Sequence, residues 1–322
     1  MKLWPRNAGC RQAPLAPGTR LGNFEIGGIL GRGGMGAVYM AVRQNDGQPA
    51  AVKVFPRDNT AAGEDARARF EREADALCSL CHPNIANILG HGSCGVIDYI
   101  ASELVDGASL EQLLRATTLT MRHYRRIITE TGRALDHIHS SGIIHCDIKP
   151  SNILVSRGGA VKITDFGCAR FAPRRRAFSG ANEKSWGTAG YMAPEQFDAP
   201  EKIGIQTDVY ALGVTFYKMF TRRLPGQAGC VPASRVNALV PPAADAVLWR
   251  AMKTDQSERY ASVSEYCGAL IEALDDIAPR SGDAEKYDSA GTRMRARLIL
   301  ILSLAATLAA LIVLAALVFK TR

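Results

Sequence analysis

The chain has 322 residues, 47% of them hydrophobic and 22% charged, which provides for a packed core and about two domains, or one large domain with an appendage. That composition excludes a disordered or fibrous chain. The formal charge of +8 is scattered along the sequence, apart from Arg174–Arg176 and the series Arg293, Arg295, Arg297, so it does not mark a nucleic-acid binder.

Residues 1–22 read as a flexible leader; Pro and Gly interrupt them, and they lack the apolar core of a signal peptide. Short strands follow: FEIGGIL (24–30), AVYMAV (37–42) and AAVKVF (50–55), the first two flanking a glycine cluster. EDARARFEREADALCSL (64–80) carries apolar residues at helical spacing and predicts one long helix. From Ser109 onward helices dominate: SLEQLL, then HYRRIITETGRALDHIHSSG, then several beyond residue 206. A β-rich first part and an α-rich second part predict an α+β chain of two lobes. Eight cysteines form no framework, and the lone C-x-x-C of Cys78 and Cys81 has no second pair to complete a zinc site, so it predicts ordinary helix positions and reduced thiols.

Residues 275–296 are polar and read as a linker. Leu298–Phe319 is apolar except for Ser303 and Thr307; as a helix it would be roughly 33 Å long, enough to cross a bilayer core of about 30 Å. The expected organisation is therefore leader 1–22, folded domain 23–274, linker 275–296, transmembrane helix 297–319 and a tail 320–322. Arg293, Arg295 and Arg297 against Lys320 and Arg322 favour a cytoplasmic folded domain only narrowly by charge. The small residues Ala305, Ala309 and Ala316 offer a face for a partner in the membrane.

Two stretches carry the chemistry. GRGGMGAV (31–38) contains G-x-G-x-x-G, which alone also suits a dinucleotide-binding turn. Here it lies between two apolar strands, so a β-hairpin rather than a helix N-terminus would cover phosphates. Lys53, in AVKV, is a cation within a strand and needs an anionic partner, which phosphate oxygens or Glu73 on the next helix would supply. In IIHCDIKPSN (143–152), Asp147, Lys149 and Asn152 are bracketed by apolar runs, as side chains lining a site usually are.

With Glu73, DFG (165–167), GTAGYMAPE (187–195) and TDVYALG (207–213), these motifs resemble, in order and over residues 24–274, the eukaryotic-like protein kinases. The wording GRGGMG and GYMAPEQ is similar to bacterial Hanks-type Ser/Thr kinases. The resemblance implies a bilobal kinase fold, ATP and Mg²⁺ as cofactors, and transfer of the γ-phosphoryl group to Ser or Thr hydroxyls of protein substrates. It implies that Gly31, Gly33, Gly34 and Gly36 let the backbone approach the phosphates. Leu30, Val38, Ala51 and Leu154 would enclose the adenine, with Glu103, Leu104 and Val105 as the hinge behind Ser102. Lys53, held by Glu73, would neutralise the α- and β-phosphates; Asp165 would hold Mg²⁺ on the phosphates and Asn152 a second metal. Asp147 would take the hydroxyl proton, and Lys149 would offset charge on the transferred group. Thr188 would touch Asp147 and Lys149, Glu195 would pair with Arg259, and Asp208 would accept from the catalytic-loop backbone.

One position departs from the regulated members. Cys146 stands where they have an Arg that docks a phosphate on the activation segment, and a thiol cannot make that bidentate contact. The chain resembles the non-RD subset, and Cys146 reads as a small filler, the alternative being a redox-reactive thiol favoured by Lys149. Cys168, after DFG, is expected near the nucleotide. Arg174–Arg176, with Ser179 and Ser185 in the segment 168–193, are either a solvated loop or a contact for an acidic partner. Expected partners are protein substrates and, through the C-terminal helix, membrane lipids, with a homodimer allowed and no nucleic acid. A pseudokinase scaffold is the rival from another class, and a DNA- or lipid-binding module explains only the basic excess.

Overall fold

The computed structural model describes residues 15–33, 36–56, 63–171, 176–177, 188–226 and 231–276. The first lobe is built on a six-stranded sheet in the order β1-β2-β3-β4-β6-β5, formed by β1 (Arg20–Leu21), β2 (Phe24–Gly33), β3 (Gly36–Arg43), β4 (Pro49–Pro56), β5 (Ile88–Cys94) and β6 (Ile97–Glu103). All pairs in it are antiparallel. Alternation in β4 sorts its side chains: Ala50, Val52 and Val54 enter one apolar cluster with Leu21, Phe24, Ile26, Tyr39 and Tyr99, while Ala51 and Lys53 face the other way. A single helix in this lobe, α1 (Gly63–Cys78), turns Phe70, Ala74 and Leu77 inward at helical spacing, and Glu73 lies on that same stripe. It ends two residues before the predicted limit, so Cys81 is outside it; both Cys78 and Cys81 are exposed.

The second lobe contains β7 (Gly107–Ser109), α2 (Leu110–Ala116), α3 (Met121–Ser140), β8 (Ile143–Ile144), β9 (Ile153–Ser156), β10 (Val161–Ile163), β11 (Arg170–Phe171), β12 (Arg176–Ala177), α4 (Glu195–Asp198), α5 (Ile205–Thr221), α6 (Ala233–Val236), α7 (Pro242–Ala251) and α8 (Val263–Asp275). Thr120 caps α3 and forms a reciprocal box with His123, satisfying amides that would otherwise lack partners. Tyr124, Ile127, Ile128, Ala134, Leu135 and Ile138 recur at helical spacing on its buried side. α5 is buried along nearly its whole length and forms the axis of this lobe. The predicted β-rich and α-rich lobes are therefore present.

Among the described residues no helix is long and apolar enough to cross a membrane. The predicted transmembrane run and nearly all of its linker lie outside the described residues, as do Gly34, Arg174, Arg175, Ser179 and Ser185; Arg176 is described only in its backbone.

Candidate active site

A cleft of about 330 Å³ opens between the lobes. Leu30, Gly31, Val38, Ala51, Lys53, Glu103, Val105, Asn152, Leu154 and Asp165, ten of the residues singled out in the sequence, line it. The register explains the upper wall. Val38 on β3 sits opposite Lys53 on β4, and Ala51 sits opposite Ser102 on β6, so a period of two brings Val38, Ala51 and Lys53 to one side. The β2–β3 hairpin is closed by Gly33 opposite Gly36. Gly36 has φ of 140°, and a Cβ there would lie 2.0 Å from the Val54 carbonyl oxygen, so no other residue fits.

Lys53 forms an ion pair with Asp165 across the cleft. Burial alone would raise the Asp165 carboxyl, but the Lys53 ammonium and the Gly167 N–H outweigh it and hold the group below its ordinary value. A Cβ on Gly167 would come within 2.6 Å of the Lys53 nitrogen, so that glycine makes room for the pair. Glu103 lines the cleft while its carboxylate meets Lys162 at 2.7 Å, leaving its backbone to serve a ligand there. Behind Ser102, the cleft continues between Phe166 of DFG and Phe55, Ile88 and Ile100, three residues that sequence reasoning had not assigned to the site, together with Thr164 just before DFG. A hollow of about 490 Å³ at the far edge of the sheet, by Gly22, Phe24, His91 and Tyr99, is open and contains none of the motif residues.

Below the cleft, Asp147, Lys149, Asn152 and Thr188 form one connected group. The Lys149 ammonium donates to Asp147 Oδ2 at 2.7 Å and to Thr188 Oγ1 at 2.8 Å. Asn152 Nδ2 donates to the Asp147 carbonyl at 2.8 Å and to Oδ2 at 3.1 Å. Among the described residues no donor is bonded to Asp147 Oδ1, while the Asn152 amide oxygen accepts from the Ser151 hydroxyl at 3.3 Å.

The loop bearing these residues is fixed from beneath. Asp208, fully buried on α5, accepts from the amides of His145 and Cys146, each at 2.8 Å, and from His139 Nε2 at 2.8 Å. Burial would raise its carboxyl, but these donors hold it low. The Cys146 carbonyl accepts from Gln196 Nε2 at 3.0 Å. These bonds hold Cys146 at φ 63°, a left-handed conformation costly to a residue with a Cβ; Asp165, at φ 69°, shares it on the other side of the cleft. The Cys146 side chain is buried with Cys168 and Ile203. Burial, reinforced by Asp208, pushes its thiol well above the usual value, and Lys149 is engaged elsewhere. A thiol 2% exposed and packed in an apolar cluster matches the filler reading rather than the redox one. Cys168 does not line the cleft; it packs in the same cluster, contrary to expectation. Glu195 and Arg259 form the expected pair, bidentate at 2.8 and 2.9 Å.

The geometry is matched by comparison with known proteins. The family model described as protein kinase domain matches residues 24–281. The chain belongs to the protein kinase domain family. A probable serine/threonine-protein kinase PknB of Bifidobacterium longum is 34% identical over 281 residues, which cover 80% of this chain and 40% of that protein. The serine/threonine-protein kinase PknJ of Mycobacterium tuberculosis is 35% identical over 279 residues, covering 81% of this chain and 47% of that one. The chain thus spans less than half the length of these curated relatives. Among solved structures, the Mycobacterium tuberculosis PknI kinase domain superposes with a TM-score of 0.65 at 27% identity, covering 80% of this chain and 99% of that one. The protein kinase fold, with its β-rich and helical lobes, is therefore the architecture of the described residues.

Proposed function

We propose that the chain is a Ser/Thr protein kinase that uses Mg-ATP and is tethered to a membrane by residues 297–319. The observation that carries the catalytic reading is the connected group Asp147–Lys149–Thr188–Asn152 below the Lys53–Asp165 pair. ATP would lie with its base between Val38, Ala51 and Leu154, next to the hinge backbone of Glu103 and Val105, and its phosphates under the β2–β3 hairpin. Lys53 binds the phosphates, with Glu73 on α1 supporting it. The Asp165 carboxylate and the Asn152 amide oxygen are hard oxygen donors, and two such ligands completed by phosphate oxygens suit Mg²⁺. When bound, Mg²⁺ offsets charge on the phosphates. The free Oδ1 of Asp147 accepts the proton of the Ser or Thr hydroxyl as its oxygen bonds to the γ-phosphorus and the bond to the β-phosphate oxygen breaks, while Lys149 stabilises the charge on the transferred group. The pseudokinase reading loses ground because the phosphate, metal and base positions are all filled by competent residues. Incubation with labelled Mg-ATP should give phospho-Ser or phospho-Thr on the chain and on acceptor proteins; no transfer, or dominant phospho-Tyr, would overturn the reading.

Cys146, a thiol where the regulated members have Arg, supports a non-RD reading. With a buried thiol where a receptor Arg would stand, complete dephosphorylation, or Ser179→Ala with Ser185→Ala, is expected to change the initial rate on an exogenous substrate less than about threefold. A large loss restored by rephosphorylation would show that another cation, such as Arg170, receives an activating phosphate.

The membrane reading rests on the apolar run Leu298–Phe319, and the need for ATP puts the kinase domain on the cytoplasmic side. Arg293, Arg295 and Arg297 would add attraction to anionic lipid, about 1 kcal/mol each. Truncation after Asp283 is expected to move an active kinase from the membrane fraction to the soluble one, and protease outside intact cells should leave the catalytic domain whole. An unchanged membrane fraction, or cleavage from outside, refutes this topology.

A further inference from the structure

Beside the catalytic group lies an ion cluster whose charged members, Lys218, Glu111 and Arg115, neither the motifs nor the proposed mechanism uses. Lys218, on α5, directs its ammonium to Glu111 Oε2 at 2.7 Å and to the Tyr191 hydroxyl at 2.8 Å. The other Glu111 oxygen, Oε1, accepts from Arg115 at 3.0 Å, one turn further along α2. Two cations therefore share one carboxylate. Burial would raise Glu111, but Lys218 and Arg115 outweigh it and keep the carboxylate ionised. Burial pushes the Tyr191 phenol up, so it stays neutral and adds no negative charge. The cluster as a whole carries one positive charge in excess.

Its position gives it a use. The Tyr191 amide donates to the Thr188 carbonyl at 2.8 Å, and the Thr188 hydroxyl meets Lys149, the partner of Asp147. Thr188, Ala189 and Gly190 are exposed, so they form an open strip at the edge of the acceptor position. A peptide presenting its hydroxyl to Asp147 would pass beside this strip, since Thr188 is joined to Asp147 through Lys149. The Tyr191 side chain spans the distance from the strip to Lys218, so the cations lie about two to four extended residues from the acceptor. At the other end of the strip, Leu224 packs against Gly190, and the neighbouring Arg223 is exposed. A basic residue on the substrate finds no open carboxylate here, because both Glu111 oxygens are taken. An acidic one finds the largely exposed Arg115, with the excess charge of Lys218 behind it at 19% exposure.

We infer that this kinase selects substrates with acidic residues two to four positions from the phosphoacceptor, and that Lys218 and Arg115 read them while Glu111 holds both in place. The inference rests on the proposed kinase reading and names the substrate class of that site.

The test uses the full chain with labelled Mg-ATP and three peptides sharing one central Thr, flanked at those positions by Glu, Ala or Arg. The expected order of kcat/KM is Glu over Ala over Arg, with roughly three- to tenfold between the extremes, carried mainly by KM, as a few half-screened charge contacts would give. Added salt should compress the difference. Lys218→Met should free Glu111 and reverse the preference towards Arg, and adding Glu111→Gln should flatten it. If Lys218→Met does not fold, Arg115→Glu, on a side chain 78% exposed, should still weaken the preference for the Glu peptide. Autophosphorylation with a flat or Arg-directed preference in the unaltered chain, or a preference untouched by Lys218→Met and Arg115→Glu, overturns this inference alone. Absence of both autophosphorylation and peptide phosphorylation overturns the kinase reading, and the inference with it.

Discussion

Replacing Asp147 by Asn should lower phosphoryl transfer by on the order of 10²-fold or more while nucleotide affinity stays near that of the unaltered chain. The asymmetry follows from the geometry. Asp147 does not line the cleft between the lobes, so the base and phosphates of ATP lose nothing. Its Oδ2 is taken by Lys149 and Asn152, and an amide oxygen can still accept both bonds. What Asn cannot do is remove the hydroxyl proton. Lys53→Met should behave in the opposite way, because Lys53 lines the cleft and pairs with Asp165; phosphate placement should suffer along with the rate. Single-turnover rates and nucleotide titrations on both variants separate the two effects. Undiminished transfer in Asp147→Asn would remove the proposed base from the mechanism.

The second large effect is on stability. The Arg259 guanidinium, with no exposure, is bonded to both Glu195 oxygens and to the carbonyls of Lys253, Gln206 and Thr254. Thr207 donates to Glu195 as well. A buried ion pair this fully bonded need not beat an apolar pair of equal size, but losing one member leaves the other charged and uncompensated, at about 3–5 kcal/mol. Glu195→Gln should therefore lower the melting temperature by roughly 10 °C in a domain of this size. Burial would lift the Glu195 carboxyl, but Arg259 and its other donors bring it below the ordinary value. A depressed folded pKa means that the stabilisation is complete above the unfolded pKa and is lost as pH falls through the folded one. The difference between the two proteins should thus be full at pH 7 and shrink below about pH 4. A loss under 1 kcal/mol at pH 7 would show that the pair does not brace the segment before α4.

Much of the cleft was legible because its residues obey short-range rules. The parity of AVKV sets Ala51 and Lys53 on one side of β4, and the apolar strands around GRGGMG select a hairpin over a helix start. The helix over 64–80 and the one beginning near His123 are readable from the spacing of apolar residues and good helix formers, with ends off by one or two residues. What escaped the sequence depends on partners far along the chain. Glu103 is drawn to Lys162, Glu111 to Lys218 across 107 positions, and Cys146 to Cys168 and Ile203. No spacing rule encodes such pairings; they exist only once α5, α2 and the loop before α5 have packed. Cys168 was misjudged for this reason, since adjacency to DFG says nothing about which way the next side chain turns.

The grip of Asp208 on two successive amides also decides which lobe the acceptor side of the site belongs to. That carboxylate roots the acceptor side of the site in α5, the most enclosed helix of the molecule, so the loop travels only when the whole lobe does. The strand carrying Lys53 belongs to the other lobe, and the Lys53–Asp165 pair is a direct electrostatic link between them. The phosphate side and the acceptor side of the site are thus anchored in different lobes, and the Lys53–Asp165 pair is one bond that reaches from the first to the second.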